Sequence, residues 1–285
     1  MKNLKIAIQK SGRLSDKSIQ LLRDAGIHFP LDGSKLRMQA SNFPLEIYLL
    51  RDDDIPQYVA DGVADIGIVG ENVVLEKNKN ITIADKLGFG KCRLSLAVPK
   101  NSSFNSIEDL NGKRIATSYP RIVSSFLAQF RVKSEIHEIS GSVEIAPGIG
   151  LADAICDIVS TGSTLLTNGL KEVATVLDSQ AVLIAHPALN AHKADLLDKL
   201  RFRFQAVRKA QHHKYILLNA PNQKIQDIAR ILPGMKSPTI LPLAMNGWSS
   251  LHSVVEEDTF WEVIEQLKAL GAEGILVIPI EKMIV

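Results

Sequence analysis

The chain has 285 residues, 46% of them hydrophobic and 22% charged, enough apolar material for a core that needs no metal or disulfide staple. Its 33 basic and 31 acidic residues leave a formal charge of +2, too small an excess to predict general nucleic-acid binding. Cys92 and Cys156 give neither a disulfide framework nor metal-ligand spacing, no apolar run reaches membrane-spanning length, and Met1–Lys10 lacks the apolar stretch and cleavage site of a secretory signal, so a cytoplasmic protein is expected.

Leu4–Ile8 reads as a strand, followed by Gly12 and a helical pattern through Ile19, Leu22 and Ala25 that stops at Gly26. Leu45–Leu50 is another strand and Ile55–Asp61 is helical. Asp65–Val69 is an apolar strand that runs into Gly70-Glu71 and a new helix. Leu94–Pro99, Arg114–Thr117 and Asp157–Val159 continue the alternation, which argues for an α/β class with mainly parallel strands. Val59 through Ile66 aligns without gaps onto Leu151 through Ile158, each copy running from a helix end into an Asp-Ile strand. Either the echo is a chance match in short α/β segments, or two similar lobes face each other across a cleft. After about Lys209 the texture changes. Strands at Lys214–Asn219, Thr239–Leu243 and Gly274–Ile280, with an amphipathic helix over Asp258–Leu270, suit a small ferredoxin-like α+β module.

The strongest chemical signal is Asp157-Ile158-Val159-Ser160-Thr161-Gly162-Ser163-Thr164. An apolar strand ends in a loop of small hydroxyl residues around one Gly, where backbone N–H groups and a helix N-terminus can hold a phosphate. A plain Ser/Thr cap explains any one of these residues, but four hydroxyls exceed what a cap needs. Asp153 and Asp157 beside it are candidates for ribose hydroxyls or hydrated Mg²⁺, with strand-edge solvation as the bland alternative. Glu144 lies just upstream. Lys10-Ser11-Gly12-Arg13 follows the first strand, and Arg51-Asp52-Asp53-Asp54 follows another; both offer cations at strand ends, although a solvated charge run accounts equally for the second. Glu71 fits either a ligand contact or a first-turn helix acid. Tyr119 fits either base stacking or core packing. Scattered histidines give zinc chemistry little support. The residues alone support an α/β protein that binds phosphorylated anions in an interlobe cleft.

In this order, these segments resemble the long form of the ATP phosphoribosyltransferases. The matching stretches are Gln9–Leu14, Arg51–Pro56, Asp65–Asn72, Cys92–Leu96, Gly112–Pro120, Gly141–Leu170, Ser237–Ala244 and Leu270–Ala272, which together span nearly the whole chain. The resemblance implies two periplasmic-binding-protein type II-like catalytic lobes, residues 1–91 with 168–211 and residues 92–167, and a regulatory domain over 212–285. It implies transfer of phosphoribosyl from phosphoribosyl pyrophosphate to N1 of the adenine of ATP, with Mg²⁺, and feedback inhibition by histidine. It also implies a dimer or hexamer that needs no separate regulatory subunit, nucleic acid or membrane. Carried onto this sequence, Ser160–Thr164 hold the 5-phosphate and Asp153 with Asp157 the ribose and possible Mg²⁺. Lys10, Arg13 and Arg51 face pyrophosphate or triphosphate, Ser11, Gly12, Asp52 and Glu144 line the site, and Glu71 and Tyr119 lie near the nucleotide. Thr239 and Ala272 are placed near histidine. The alternative is a non-catalytic two-lobed binding or regulatory protein for phosphorylated ligands.

Overall fold

The computed structural model describes residues 3–30, 35–104, 106–160, 162–232 and 234–284. The chain divides into two compact units, Met1–Gln20 with Ile27–Leu197, and Leu21–Gly26 with Asp198–Val285.

In the first unit β1 (Leu4–Gln9) leads into α1 (Arg13–Asp24), followed by β2 (Arg37–Gln39), β3 (Leu45–Leu50), α2 (Ile55–Ala60), β4 (Ile66–Gly70), α3 (Glu71–Lys77) and β5 (Thr82–Lys86). The chain then crosses into a second sheet with β6 (Cys92–Pro99), β7 (Arg114–Thr117), α4 (Pro120–Gln129), β8 (Glu135–Glu138), β9 (Ala154–Val159), α5 (Ser163–Thr167) and β10 (Leu170–Ser179). It returns to the first sheet with β11 (Ala181–Ala185), and α6 (Ala191–Gln211) follows. The sheet orders are β2-β3-β1-β4-β11-β5 and β10-β6-β9-β7-β8. β1 pairs in parallel with β3 and β4, as β7 does with β8 and β9; β11 and β6 are the antiparallel strands inserted in each sheet. This is the periplasmic-binding-protein type II arrangement, built twice. β1, β4 and β9 are rich in Ile, Val and Ala and largely buried, as parallel strands covered on both faces by helices must be.

The sequence places residues 168–211 in the first lobe. β10 instead pairs along β6, so the second lobe runs on through Ser179 and the return crossing is Gln180. β10 was hard to read because two register shifts interrupt its alternation of buried and exposed residues.

The two lobes are related, but not by the gap-free alignment. Asp65 enters β4 by donating its N–H to the Lys5 carbonyl, and its Oδ2 accepts the Lys5 N–H, both at 2.9 Å. Asp153 enters β9 with the same pair of bonds to Arg114, both at 2.9 Å. Three residues earlier, Gly62 and Gly150 turn the chain with φ of 68° and 75°. Gly62-Val63-Ala64-Asp65 therefore corresponds to Gly150-Leu151-Ala152-Asp153, four residues away from the alignment of Val59 with Leu151. Val-Ala-Asp occurs at both 59–61 and 63–65, which lets a sequence comparison lock onto the wrong copy.

The second unit holds β12 (His213–Pro221), α7 (Ile225–Ile231), β13 (Thr239–Pro242), β14 (Trp248–Glu256), α8 (Glu257–Ala269) and β15 (Glu273–Pro279). The order β13-β14-β12-β15, antiparallel throughout, is that of a ferredoxin-like βαββαβ module. Ile216, Leu218 and Ala220 of β12 pack with Leu251, Ile228, Phe260 and Leu267 in its core.

The strand-entry aspartates give a stability test. Asp65 is 6% exposed and pairs with Lys193 at 2.6 Å; Asp153 is 40% exposed and pairs with Arg114 at 3.0 Å. Asp65→Ala strands the partly buried Lys193 ammonium and should cost about 3 kcal/mol in urea unfolding. Asp153→Ala should cost about 1 kcal/mol, since solvent screens its ion pair. Hydrogen bonds from Arg114 hold the Asp153 carboxyl below the usual carboxylate range. Its contribution is therefore full above about pH 4, the unfolded value, and is lost as the pH falls through the lower folded value. Equal losses for the two variants would contradict this assignment.

Candidate active site

Two adjoining cavities open between the lobes, where the carboxyl ends of parallel strands converge. The first, about 350 Å³, is lined by Gln9, Arg13, Leu14, Lys17, Asp52, Gly70, Asn72, Val73, Gly90, Lys91, Cys92, Tyr119, Ile158 and Ser160. The second, about 320 Å³, is lined by Arg13, Glu144, Asp157, Ile158, Val159, Ser160, Gly162, Ser163, Thr164 and Leu165. Arg13, Ile158 and Ser160 belong to both, so the two cavities share a wall.

The second cavity is the hydroxyl loop at the end of β9. Ser160, Gly162, Ser163 and Thr164 meet there at the start of α5; Thr161 lies outside the described residues. Asp157 faces the same space. Burial, and then the charge of Glu144, pushes its carboxyl above the usual range, while a hydrogen bond from Ile158 N–H at 2.8 Å opposes the shift. Two carboxylates of a partly dry pocket thus stand close enough to repel, which favours a cation between or beside them.

The first cavity is cationic on one side. Arg13 and Lys17 fall one turn apart on α1 and Lys91 lies in the first crossing, all lining the cavity. Asp52 lines it too, and burial followed by the charge of Asp53 raises its carboxyl. Tyr119 forms part of the wall. Burial and the neighbouring Asp157 push its phenol well above the ordinary value, so it stays protonated at neutral pH. Its hydroxyl accepts a hydrogen bond from Asn72 Nδ2 at 3.1 Å, across the cleft. Asn72 is itself fixed by Ser179, whose Oγ accepts the Asn72 N–H at 3.1 Å and donates to Oδ1 at 2.9 Å. Glycine is required at position 70, because a Cβ there would lie 2.3 Å from Asn72 Oδ1.

Several expected residues fall elsewhere. Asp153 sits at the opposite end of β9 from the hydroxyl loop, engaged with Arg114, and lines neither cavity. Glu71 is the first residue of α3 and pairs with Lys86 at 2.9 Å rather than lining either cavity. Lys10 and Arg51 stand side by side just past the paired ends of β1 and β3, outside the two cavities with Ser11 and Gly12. Asn72, Lys17 and Lys91 are the residues that sequence reasoning missed. Spacing of four from Arg13 on an expected helix could have found Lys17, whereas nothing local signals Asn72 or Lys91.

In the second unit, a cavity of about 540 Å³ is lined by Tyr215, Met235, Lys236, Ser237, Thr239, His252, Ser253, Val254 and Ile284. The His252 ring is held at both nitrogens, by Tyr215 Oη at 2.8 Å and Ser250 Oγ at 3.0 Å. Thr239 faces this cavity. Ala272 does not; it is packed in the module's core.

A two-lobed α/β protein with a phosphate-type loop and cations converging on its interlobe cleft is what these observations define. The family profile of ATP phosphoribosyltransferase matches residues 51–206, and that of the HisG C-terminal domain matches residues 210–282. An ATP phosphoribosyltransferase of Cytophaga hutchinsonii is 61% identical over 281 residues, covering 99% of this chain and 98% of that protein. One from Bacteroides fragilis is 55% identical over 282 residues, covering 99% and 100%. A chain of the HisG:HisZ ATP phosphoribosyl transferase complex of Thermotoga maritima superposes with a TM-score of 0.61 at 30% identity, covering 71% of this chain and 98% of that one. The chain belongs to the ATP phosphoribosyltransferase family and is a pentosyltransferase.

Replacing Glu144 with Gln should lower the pKa of Asp157 by removing the like charge, read by carboxyl carbon NMR titration; an unmoved titration would separate the two groups. Asn72→Ala removes a buried amide with two hydrogen bonds and should destabilise the protein by about 1–3 kcal/mol in chemical denaturation.

Proposed function

We propose that this chain joins ATP to phosphoribosyl pyrophosphate in the interlobe cleft, giving N1-(5-phosphoribosyl)-ATP and pyrophosphate, the first step of histidine biosynthesis. The observation that carries the reading is the adjacency of the two cavities, which share Arg13, Ile158 and Ser160 and would let two phosphorylated substrates meet. Ser160, Thr161, Ser163 and Thr164 would bind the 5-phosphate through hydroxyl and backbone donors. Asp157 would hold the ribose. Arg13, Lys17 and Lys91 would neutralise the departing pyrophosphate and the triphosphate, with Lys10 and Arg51 at its outer reach. Tyr119, kept protonated, would position the adenine opposite the ribose carbon.

No covalent nucleophile is needed. Pyrophosphate leaves a carbon with oxocarbenium character, and the protein's part is alignment and charge neutralisation. Among the described residues no group of three or more His, Cys, Asp or Glu could hold a metal alone. Asp157 and Glu144 suit one flank of a Mg²⁺ ion whose other ligands are phosphate oxygens and water, and such an ion would stabilise the leaving group.

The second unit would bind histidine in the cavity beside Thr239 and inhibit from there, acting in a dimer or hexamer in the cytoplasm without a separate regulatory subunit. No helix of the described residues is long and apolar enough to cross a membrane.

Pyrophosphate release should require both substrates together; release from either alone would overturn the reading. Thr164→Val should raise KM for phosphoribosyl pyrophosphate about tenfold or more, the worth of one charge-assisted hydrogen bond, with an unchanged melting temperature. Thr239→Trp fills the second unit's cavity and should abolish histidine binding by calorimetry while turnover stays normal. Undiminished histidine binding would place the effector elsewhere.

A further inference from the structure

Glu76 has no place in the chemistry above, yet it reaches from one lobe to the other. Helix α4 has Tyr119 at its N-cap and Pro120 in its first turn, and no side chain at the N-cap serves it. A helix leaves its first N–H groups without intrahelical partners, and each needs an acceptor from elsewhere. Pro120 has no N–H to satisfy, and Val123 N–H already reaches the Tyr119 carbonyl at 3.1 Å. The orphans that remain are those of Arg121 and Ile122. One carboxylate takes both: Arg121 N–H donates to Glu76 Oε1 at 2.9 Å and Ile122 N–H to Oε2 at 3.0 Å. Glu76 stands on α3 of the first lobe, whereas α4 belongs to the second.

Four residues earlier on the same helix, Asn72 holds the Tyr119 hydroxyl. Helix α3 therefore grips the start of α4 at two points one turn apart, one of them charged. A local Ser or Asp at position 119 would cap α4 equally well and leave the lobes independent. Drawing the cap from the opposite lobe ties the satisfaction of the helix end to closure of the cleft, because separation of the lobes breaks both bonds together. The negative charge also sits at the positive end of the helix dipole, where it is favoured.

We propose that Glu76 is a positioning residue that caps α4 from across the cleft, holds the lobes closed and so fixes Tyr119 in the wall of the first cavity. The kinetic half of this inference rests on reading that cavity as a substrate site; the mechanical half does not. Loss of two hydrogen bonds to a charged group shifts the closure equilibrium toward the open form by on the order of tenfold or more.

The test uses the full chain without substrate, carrying spin labels on unnatural amino acids at the exposed positions Lys79 and Gln129, one in each lobe, so that Cys92 and Cys156 are untouched. Pulsed EPR should show longer and broader separations in Glu76→Ala than in the unsubstituted protein. Glu76→Gln, which keeps one carbonyl acceptor, should lie between. In turnover assays Glu76→Ala should raise KM for both substrates about tenfold with a smaller change in kcat, and Glu76→Gln should recover part of the loss. If Glu76→Ala fails to fold, the Gln variant decides by the same distances. Unchanged separations with an unchanged KM overturn the proposal. Longer separations in a protein that never releases pyrophosphate overturn the function and leave the latch standing.

Discussion

The first lobe cannot complete its sheet until the chain has been through the second. Its inserted antiparallel strand, β11, arrives only after β6 to β10 have built the other sheet without interruption. The crossings run side by side: Leu87 N–H reaches the Ala181 carbonyl at 2.9 Å and Ala181 N–H reaches the Phe89 carbonyl at 2.8 Å. Gln180, the single residue between β10 and β11, accepts the Glu71 N–H and receives the Gly88 N–H on its side chain. This paired strap fixes where the cleft lies. It puts Lys91 and Cys92 in the floor of the first cavity and Ser179 under Asn72.

On that shared frame the lobes have diverged at the positions that matter. With Asp65 matched to Asp153, Val69 occupies the place that Asp157 holds in the second lobe. Val69 is fully buried in a hydrophobic cluster, while Asp157 opens onto a phosphate-type loop. The turn after β4 begins α3 with Glu71, paired to Lys86, where the turn after β9 offers hydroxyls and backbone donors. An acid at that helix start is hostile to phosphate. The first lobe contributes cations from α1 instead, so the cleft is a boundary between two unlike surfaces made from one architecture.

Much of this was legible in the amino-acid order. The hydroxyl loop, Arg13, Asp52 and Tyr119 each follow a strand of strong apolar pattern and Asp157 lies near the end of one, and parallel strands deliver such residues to one edge. The ferredoxin-like module showed itself through its alternating strands and one amphipathic helix. Asp153 was misread because sequence proximity to Asp157 hides the length of strand between them: four residues span about 13 Å. Glu71 was misread because a first-turn acid and a ligand contact look alike until Lys86 is seen beside it. Asn72 and Glu76 are invisible to local reasoning, since their partners Tyr119, Ser179, Arg121 and Ile122 lie far along the chain and on another lobe.

The late return strand also bears on how the protein is made. As the chain leaves the ribosome, β4 and β5 are finished by Lys86, long before β11 (Ala181–Ala185), which must slot between them. At ordinary translation rates that is a wait on the order of ten seconds. Throughout it, the neighbouring edges of β4 and β5 expose unpaired backbone groups and Ile and Val side chains, the kind of surface to which other chains adhere. The first sheet closes only when residues 181–185 emerge, by which time the whole second lobe has been synthesised. Folding of the core is thus forced to be late and non-local, and the nascent chain has reason to be shielded by a chaperone until its return strand arrives.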